Sequence, residues 1–265
     1  MSEILRVENL KKYYSKKNFF GKEISLVKAV DDVSFAIEHG KTLVLAGESG
    51  SGKSTIAKLI LQAIPKDSGR IIFDDIEITN SKESLKKIQM GVQMVYQDPY
   101  DSINPQMKIK DIISEPLEIH KIPNAKDIVR QVLHEVKMEP VDDIMEKYPH
   151  MLSGGQRQRV VLARALVLKP KMIIADEPVS MLDVSIRAEI LELMDGLQRK
   201  YQISFLYITH DLATARHFGQ NIIILHKGKI VESGPIDEVL FYPKHEYTKA
   251  LISAISEPDP NNLTR

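Results

Sequence analysis

Two stretches of this chain set glycine beside hydroxyl and basic residues in an order suited to holding an anion. The first is GESGSGKST, Gly47 to Thr55, and the second is LSGGQRQRVVLARAL, Leu152 to Leu166. In the first, Gly47, Gly52, Lys53 and Ser54 satisfy the pattern G-x-x-x-x-G-K-[ST]. Glycine lets the backbone curl until successive N–H groups point at one anion, and a following helix adds its positive end. The loop Gly47, Glu48, Ser49, Gly50, Ser51, Gly52 and on to Thr55 would cradle the phosphates of a nucleotide. Lys53 would reach the β- and γ-phosphates, and the Ser54 hydroxyl would ligate Mg²⁺. In the second stretch Ser153 precedes Gly154 and Gly155 where a helix begins near Gln156. Capping alone explains the serine. It does not explain two consecutive glycines, nor QRQR continuing on the polar side, so an anion at this turn is the competing reading.

Two further groups could act on a bound phosphate. MIIADEP places Asp176 and Glu177 at the carboxyl end of an apolar strand, where open α/β sheets bind ligands. Asp176 would hold Mg²⁺ through water, leaving Glu177 to orient and deprotonate an attacking water. The alternative is a pair of carboxylates facing solvent. FLYITHD repeats the geometry with His210, whose imidazole would contact the γ-phosphate and hold the attacking water; a surface histidine is the plainer reading.

The elements that must position these residues follow from hydrophobic pattern. KTLVLAG, KMIIADEP, ISFLYITHD and NIIILHKG are apolar runs ending in polar loops, as expected of strands buried on both faces. The first ninety residues read mostly as strands, including LRVENL, SLVKAVDDVSFAI and GRIIFDDIEI. After the first glycine loop, Ile56, Leu59, Ile60, Ala63 and Ile64 fall at helical spacing, with Pro65 as the stop. HKGK reads as a hairpin turn, SEPDPNNLTR as a frayed tail. Strands alternating with helices predict a mainly parallel sheet covered by helices, with a helical section over about 98–168 inserted into it.

Composition sets the bounds. The chain has 265 residues, 43% hydrophobic and 27% charged, with 36 basic against 36 acidic residues and no cysteine. The balance leaves no bulk positive field for nucleic acid or an anionic membrane, and the missing thiols exclude disulfides and iron–sulfur clusters. The N-terminus lacks a signal-peptide pattern, and no apolar run approaches the roughly 20 residues needed to span a bilayer. These features predict a soluble cytoplasmic protein.

Five elements together carry a resemblance: the loop ending Lys53–Ser54, Gln97 in VYQDP, LSGGQ, IIADEP and His210. In order and spacing they resemble ATP-binding cassette (ABC) proteins over essentially the whole chain. SMLD, Ser180 to Asp183, resembles that family's D-loop, with Met181 where a small residue is usual. The implied fold is α/β: a P-loop NTPase core with a mainly parallel sheet, an N-terminal antiparallel β-subdomain and an inserted α-helical subdomain. The implied organisation is a nucleotide-binding domain over 1–235 and a short C-terminal extension over 236–265. Two cassettes would pair head to tail, each lending Ser153, Gly154, Gly155 and Gln156, with Asp183 nearby, to the triphosphate on its neighbour's phosphate loop. ATP would favour the closed pair, and loss of its γ-phosphate would release it. The resemblance also implies an adenine platform at Tyr14, with Tyr13 as second choice. It places Gln97 on Mg²⁺ or water and, with Asp98–Met107, beside a membrane subunit; the plainer reading of Gln97 is a strand-end cap.

Several branches drop out, because the chain has no long coiled coil, no second cassette and no fused membrane segment. Only about thirty residues follow GKIVESG, which sets aside importers with a large C-terminal β-domain. YQDPYDSINPQM, SEPL, YPHMLSGGQRQR, DEPVSMLDVSIRAEIL and YPKHEYTKALISAISEPDP resemble the oligopeptide/dipeptide/nickel importer branch, most closely its second ATPase subunit. Glu246 stands where proline is common, and Ile103 where leucine is usual. The implied partners are a second ATPase subunit, identical or paralogous, two membrane permeases and, indirectly, a solute-binding protein. The place would be the cytoplasmic face of the membrane, and peptides, nickel chelates or oligosaccharides the solutes. An assembly or repair ATPase without a membrane partner, and a non-hydrolysing ATP-dependent interaction module, are the competing functions.

Overall fold

A computed structural model describes residues 2–17 and 23–254. The tail expected to fray, and the PDP within it, lie outside the described residues. In chain order the elements are β1 (Glu3–Lys17), β2 (Glu23–Glu38), β3 (Thr42–Ala46), α1 (Lys53–Ile60), β4 (Ser68–Phe73), β5 (Ile76–Glu77), α2 (Lys82–Gly91) and β6 (Val92–Val95). There follow α3 (Ile109–Ile119), α4 (Ala125–Glu135), α5 (Val141–Glu146), α6 (Gly154–Leu166) and β7 (Met172–Asp176). The chain continues with α7 (Val184–Tyr201), β8 (Ser204–Thr209), α8 (Leu212–Phe218), β9 (Asn221–His226), β10 (Lys229–Pro235), α9 (Ile236–Phe241) and α10 (Glu246–Ser253). It divides into two compact units, one of Met1–Ile88 with Leu206–Arg265 and one of Gln89–Phe205, so the boundary falls within β8.

In the first unit an antiparallel sheet runs in the order β2-β1-β4-β5. Its register sets apolar residues opposite one another, Leu5 facing Ile37 and Leu10 facing Val33, all four buried. GRIIFDDIEI is two strands rather than one: Asp74 and Asp75, at φ 50° and 61°, make the turn between β4 and β5. Short acidic side chains tolerate that left-handed geometry better than most. The TLVLA of β3 is buried throughout and lies parallel to β9, pairing Val44 with Ile222. β9 turns back antiparallel into β10 through Lys227 and Gly228, both at positive φ, so HKGK is the hairpin its residues suggest.

Two local expectations are corrected here. The helix after the glycine loop stops at Ile60 and leaves Ala63 and Ile64 outside it. Gln62 adopts φ 57°, its N–H bonds the Leu59 carbonyl and the Ala63 N–H bonds the Lys58 carbonyl. That left-handed closure satisfies the last carbonyls ahead of the proline. Within the stretch read as strands, Lys82–Gly91 forms a helix. Only Ser84 and Ile88 are buried along it, which leaves almost no apolar period to read.

In the second unit β6 and β7 are parallel, with Val92 opposite Met172 and Met94 opposite Ile174. Helices α3, α4 and α6 bury matched stripes. Ile109, Ile112, Ile113 and Leu117 recur at helical spacing on α3, and Val129, Val132 and Leu133 on α4. Among the described residues no helix is long and apolar enough to cross a membrane.

Candidate functional site

The first unit carries Tyr14, the loop Gly47–Thr55 and His210; the second carries Gln97, Ser153 to Gln156, Asp176, Glu177 and Asp183. In the first, the buried strand β3 delivers the chain into the loop and α1 takes it away. Gly47 sits at φ 148° and Gly52 at φ 114°, and neither could carry a side chain. A Cβ on Gly47 would lie 2.2 Å from the Leu225 carbonyl oxygen, and one on Gly52 2.1 Å from that of Ala29. The loop is thus pressed against the end of β9 and the middle of β2. Gly228 on the β9–β10 turn donates its N–H to the Ser51 carbonyl at 2.9 Å, a third brace.

No side chain caps the first turn of α1, whose N-cap is Gly52. Lys53 is nearly buried and folds back, its ammonium donating to the carbonyls of Gly47 at 2.7 Å and Glu48 at 2.8 Å. Ser51 is 2% exposed, and its hydroxyl oxygen has no partner. A buried hydroxyl left unmade is costly unless something else meets it. An uncapped helix start, an orphaned hydroxyl, an ammonium at hand and an exposed Ser54 are a donor set that fits a polyphosphate with its divalent cation.

The two tyrosines differ. Tyr13 donates its hydroxyl to Asp31 at 2.5 Å. That bond, with burial and the neighbouring acidic charges, pushes the phenol up to about 12. The same bond, aided by Lys28 and Lys229 against the effect of burial, holds the Asp31 carboxyl below its ordinary range. Asp31 also donates its N–H to the Gly228 carbonyl, so it ties β1 and β2 to the turn that braces the loop. Tyr14 is exposed and pairs with Val27, two residues from the Ala29 that backs Gly52. The Lys12 ammonium lies over its ring, 5.6 Å from the centroid. His210 is exposed at the carboxyl end of β8, beside Asp211, which caps α8 by accepting the N–H groups of Ala213 and Thr214.

In the second unit Asp176 closes β7, and Glu177 follows at φ 50°, a left-handed bend that ends the strand abruptly. The Glu177 carbonyl accepts the N–H and the hydroxyl of Ser180. Arg187 reaches back from α7 to the carbonyls of Leu182 and Ser180, which fixes SMLD as a loop. Asp183 holds the N-cap position of α7 but its exposed carboxylate makes no capping bond. Gln97 is exposed after β6; the capping work there belongs to Asp98, which accepts the Tyr100 N–H at 2.9 Å.

The serine–glycine turn proves more structural than its sequence suggests. Ser153 and Gln156 form a reciprocal cap at the start of α6. Gly155 has a packing reason: a Cβ there would stand 2.6 Å from Ile186 Cγ2 on α7, whereas one on Gly154 would meet Leu182 at an ordinary 3.5 Å. Nor does QRQR lie on a polar face. Gln158 is 1% exposed, and Arg159 bonds the Val136 carbonyl and Glu189. Arg157 bonds the Leu152 carbonyl at 2.6 Å and stacks on Tyr100. The two arginines spend donors inside the unit, whereas the buried Gln158 amide nitrogen has no hydrogen-bond partner. Asp31, Arg187 and the Arg157–Tyr100 contact lay outside the sequence reading, and no motif marks them.

A sequence profile of the ABC transporter family matches residues 30–180. The chain is 45% identical over 260 residues to the oligopeptide transport ATP-binding protein OppF of Streptococcus mutans, covering 96% of this chain and 84% of that one. To the dipeptide transport ATP-binding protein DppF of Haemophilus influenzae it is 41% identical, covering 97% and 80%. Among solved structures it is similar to cbiO1 of Clostridium perfringens, part of the ABC transporter complex cbiONQ, at TM-score 0.80 and 26% identity over 99% of this chain and 98% of that one. A dimeric, post-hydrolysis form of the ATP-binding cassette MJ0796 with ADP and Pi matches at TM-score 0.74 and 26% identity, over 88% and 98%. With its phosphate loop, strand-end carboxylates and serine–glycine turn each on the elements described, the chain belongs to the ABC transporter family, as an ATP-binding subunit.

Proposed function

We propose that this chain hydrolyses ATP to power a peptide importer, working as a head-to-tail dimer beneath separate membrane permeases. The observation that carries the reading is the phosphate loop: glycines wedged against backbone carbonyls, an uncapped helix start and a buried ammonium beside them. The peptide cargo rests on relatives named for oligopeptide and dipeptide transport. The chain would be held peripherally at the cytoplasmic face, with a solute-binding protein acting through the permeases. Residues 1–235 would form the nucleotide-binding domain, with the helical subdomain of about 98–168 inserted, and 236–265 the extension.

The roles divide by chemistry. Backbone N–H groups and hydroxyls of Glu48 to Thr55 hold the phosphates, and Lys53 exchanges its carbonyl partners for the charge of the β- and γ-phosphates. Tyr14 supports the adenine. Ser54, Gln97 and, through water, Asp176 would hold Mg²⁺, which supplies neutralising charge. Glu177 takes the proton of the water whose oxygen attacks the γ-phosphorus as the bond to ADP breaks, and His210 holds that water against the γ-phosphate. Ser153 and Gly155, with Gly154, Gln156 and Asp183 around them, contact the γ-phosphate on the partner's loop, so ATP stabilises the closed pair and ADP does not.

Glu177→Gln tests the reading. Steady-state turnover is expected to fall by about 10²–10⁴, while gel filtration with ATP still yields the dimer. Unchanged turnover removes Glu177 from the chemistry. Failure to co-purify with permeases from detergent extracts, or no ATP-dependent peptide uptake in vesicles reconstituted with them, overturns the importer assignment.

A further inference from the structure

We propose that the C-terminal helix α10 belongs to the nucleotide-binding apparatus, with Tyr247 as a positioning residue that sets the first peptide of the phosphate loop. The inference rests on the ATP-binding reading above and extends it to a segment with no assigned role. The backbone N–H of Glu48 donates to the Tyr247 hydroxyl at 3.1 Å, joining residues 199 positions apart. The Glu48 carbonyl accepts the Lys53 ammonium at 2.8 Å and the Ser51 N–H at 3.2 Å. The Gly47 carbonyl, on the same peptide as the Glu48 N–H, accepts the Lys53 ammonium at 2.7 Å, so this one peptide is held from both sides, by the loop's own lysine and by the C-terminal tyrosine. The Tyr247 ring stacks on His226 with centroids 3.8 Å apart, and His226 Nδ1 lies 3.3 Å from the Glu48 carboxylate. His226 directly follows Leu225, whose carbonyl backs Gly47, so the same contact reaches the brace behind the loop.

The helix is anchored well enough to exert this constraint. Glu232 of β10 accepts the N–H groups of Lys244 and His245, at 2.8 and 3.0 Å. Burial disfavours its charge, but these donors and the Thr248 hydroxyl outweigh it and hold the carboxyl below its ordinary range. His245 then caps α10 by accepting the Tyr247 N–H, and Thr248 is fully buried. Burial, above all, raises the Tyr247 phenol, so its hydroxyl stays neutral and able to accept.

When ATP draws Lys53 toward its phosphates, the Gly47–Glu48 peptide gives up the ammonium on its carbonyl. Tyr247 then keeps that peptide from turning, and the loop meets its ligand already shaped. Preorganisation of this kind appears in binding rather than in the chemical step. Tyr247→Phe removes only the hydroxyl and keeps the stack on His226. In the full chain, calorimetric titration with MgATP is expected to show a Kd raised about three- to tenfold, the range of one neutral hydrogen bond. The KM for ATP should rise in step, with kcat at saturating ATP unchanged. Tyr242→Phe, on an exposed tyrosine of the same segment, should leave Kd at the wild-type value. Wild-type affinity in Tyr247→Phe, an equal loss in Tyr242→Phe, or a fall in kcat with KM constant overturns the proposal. Absence of ATP binding in the wild-type chain is a different failure, since it removes the ATP-binding reading beneath it.

Discussion

Glycines stand at the N-termini of both α1 and α6. At α1 the N-cap is Gly52 itself, at φ 114°, with no side chain over the first turn; at α6 Ser153 and Gln156 close the turn on each other. The glycines differ as well. Gly47 and Gly52 are required by their own backbone, since positive φ and an opposing carbonyl both forbid a Cβ; Gly155 is required by a neighbour, Ile186. The first turn keeps its donors for a ligand within one chain. The second has committed the Gln156 N–H to Ser153 and can offer an anion only what the cap leaves over. Similar composition thus builds an uncapped helix start in one place and a reciprocally capped one in the other.

The contrast can be broken at its strong end. Gly52→Ala puts a methyl 2.1 Å from the Ala29 carbonyl oxygen in a left-handed backbone. ATP affinity measured by calorimetry is expected to drop about a hundredfold or more. Affinity within twofold of wild type would show that the loop does not depend on that glycine. At the other turn, Gly155→Ala should force α6 away from α7 and cost about 1–3 kcal/mol, read as a Tm lower by several degrees. ATP binding to the isolated chain should not change, and a second substitution, Ile186→Ala, should restore much of the stability. An unaltered Tm would refute the packing account of Gly155.

The smallest effect concerns the bond behind the phosphate loop. Tyr13 is raised to about 12 from 10, chiefly by its hydrogen bond to Asp31. Because the folded pKa lies above the unfolded one, the contribution is full below pH 10 and is lost as pH climbs through about 12. Ultraviolet titration should find one of the nine tyrosines ionising near pH 12. Asp31→Asn should return it toward 10. If every tyrosine of the folded wild type ionises together near 10, the Tyr13–Asp31 bond does not brace the loop.

The buried strands were legible because their signal is local. TLVLA, MIIAD, SFLYIT and NIIILH are apolar runs bounded by polar loops, and each forms a strand where its residues placed it. The phosphate loop was legible for the same reason, since strand, glycines and helix adjoin. The end of α1 was not: Pro65 is the visible stop, but the left-handed turn at Gln62 acts first. Helix α2 escaped because two buried side chains make no period. QRQR misled because polar type does not fix exposure: Gln158 is buried, and Arg159 bonds Val136 and Glu189, far from it in sequence.

Sequence by itself determined the strand, glycine loop and helix around Gly47–Thr55, the carboxylates at the end of β7 and the family to which the chain belongs, since each depends on residues that are neighbours along the chain. Only tertiary structure decided which glycine answers to backbone and which to packing, that Asp31 and the β9–β10 turn brace the loop, and that Tyr247 reaches Glu48. Those contacts join residues far apart in the chain. Each partner is an ordinary residue in its own neighbourhood, and it acquires a role only when folding brings the other against it.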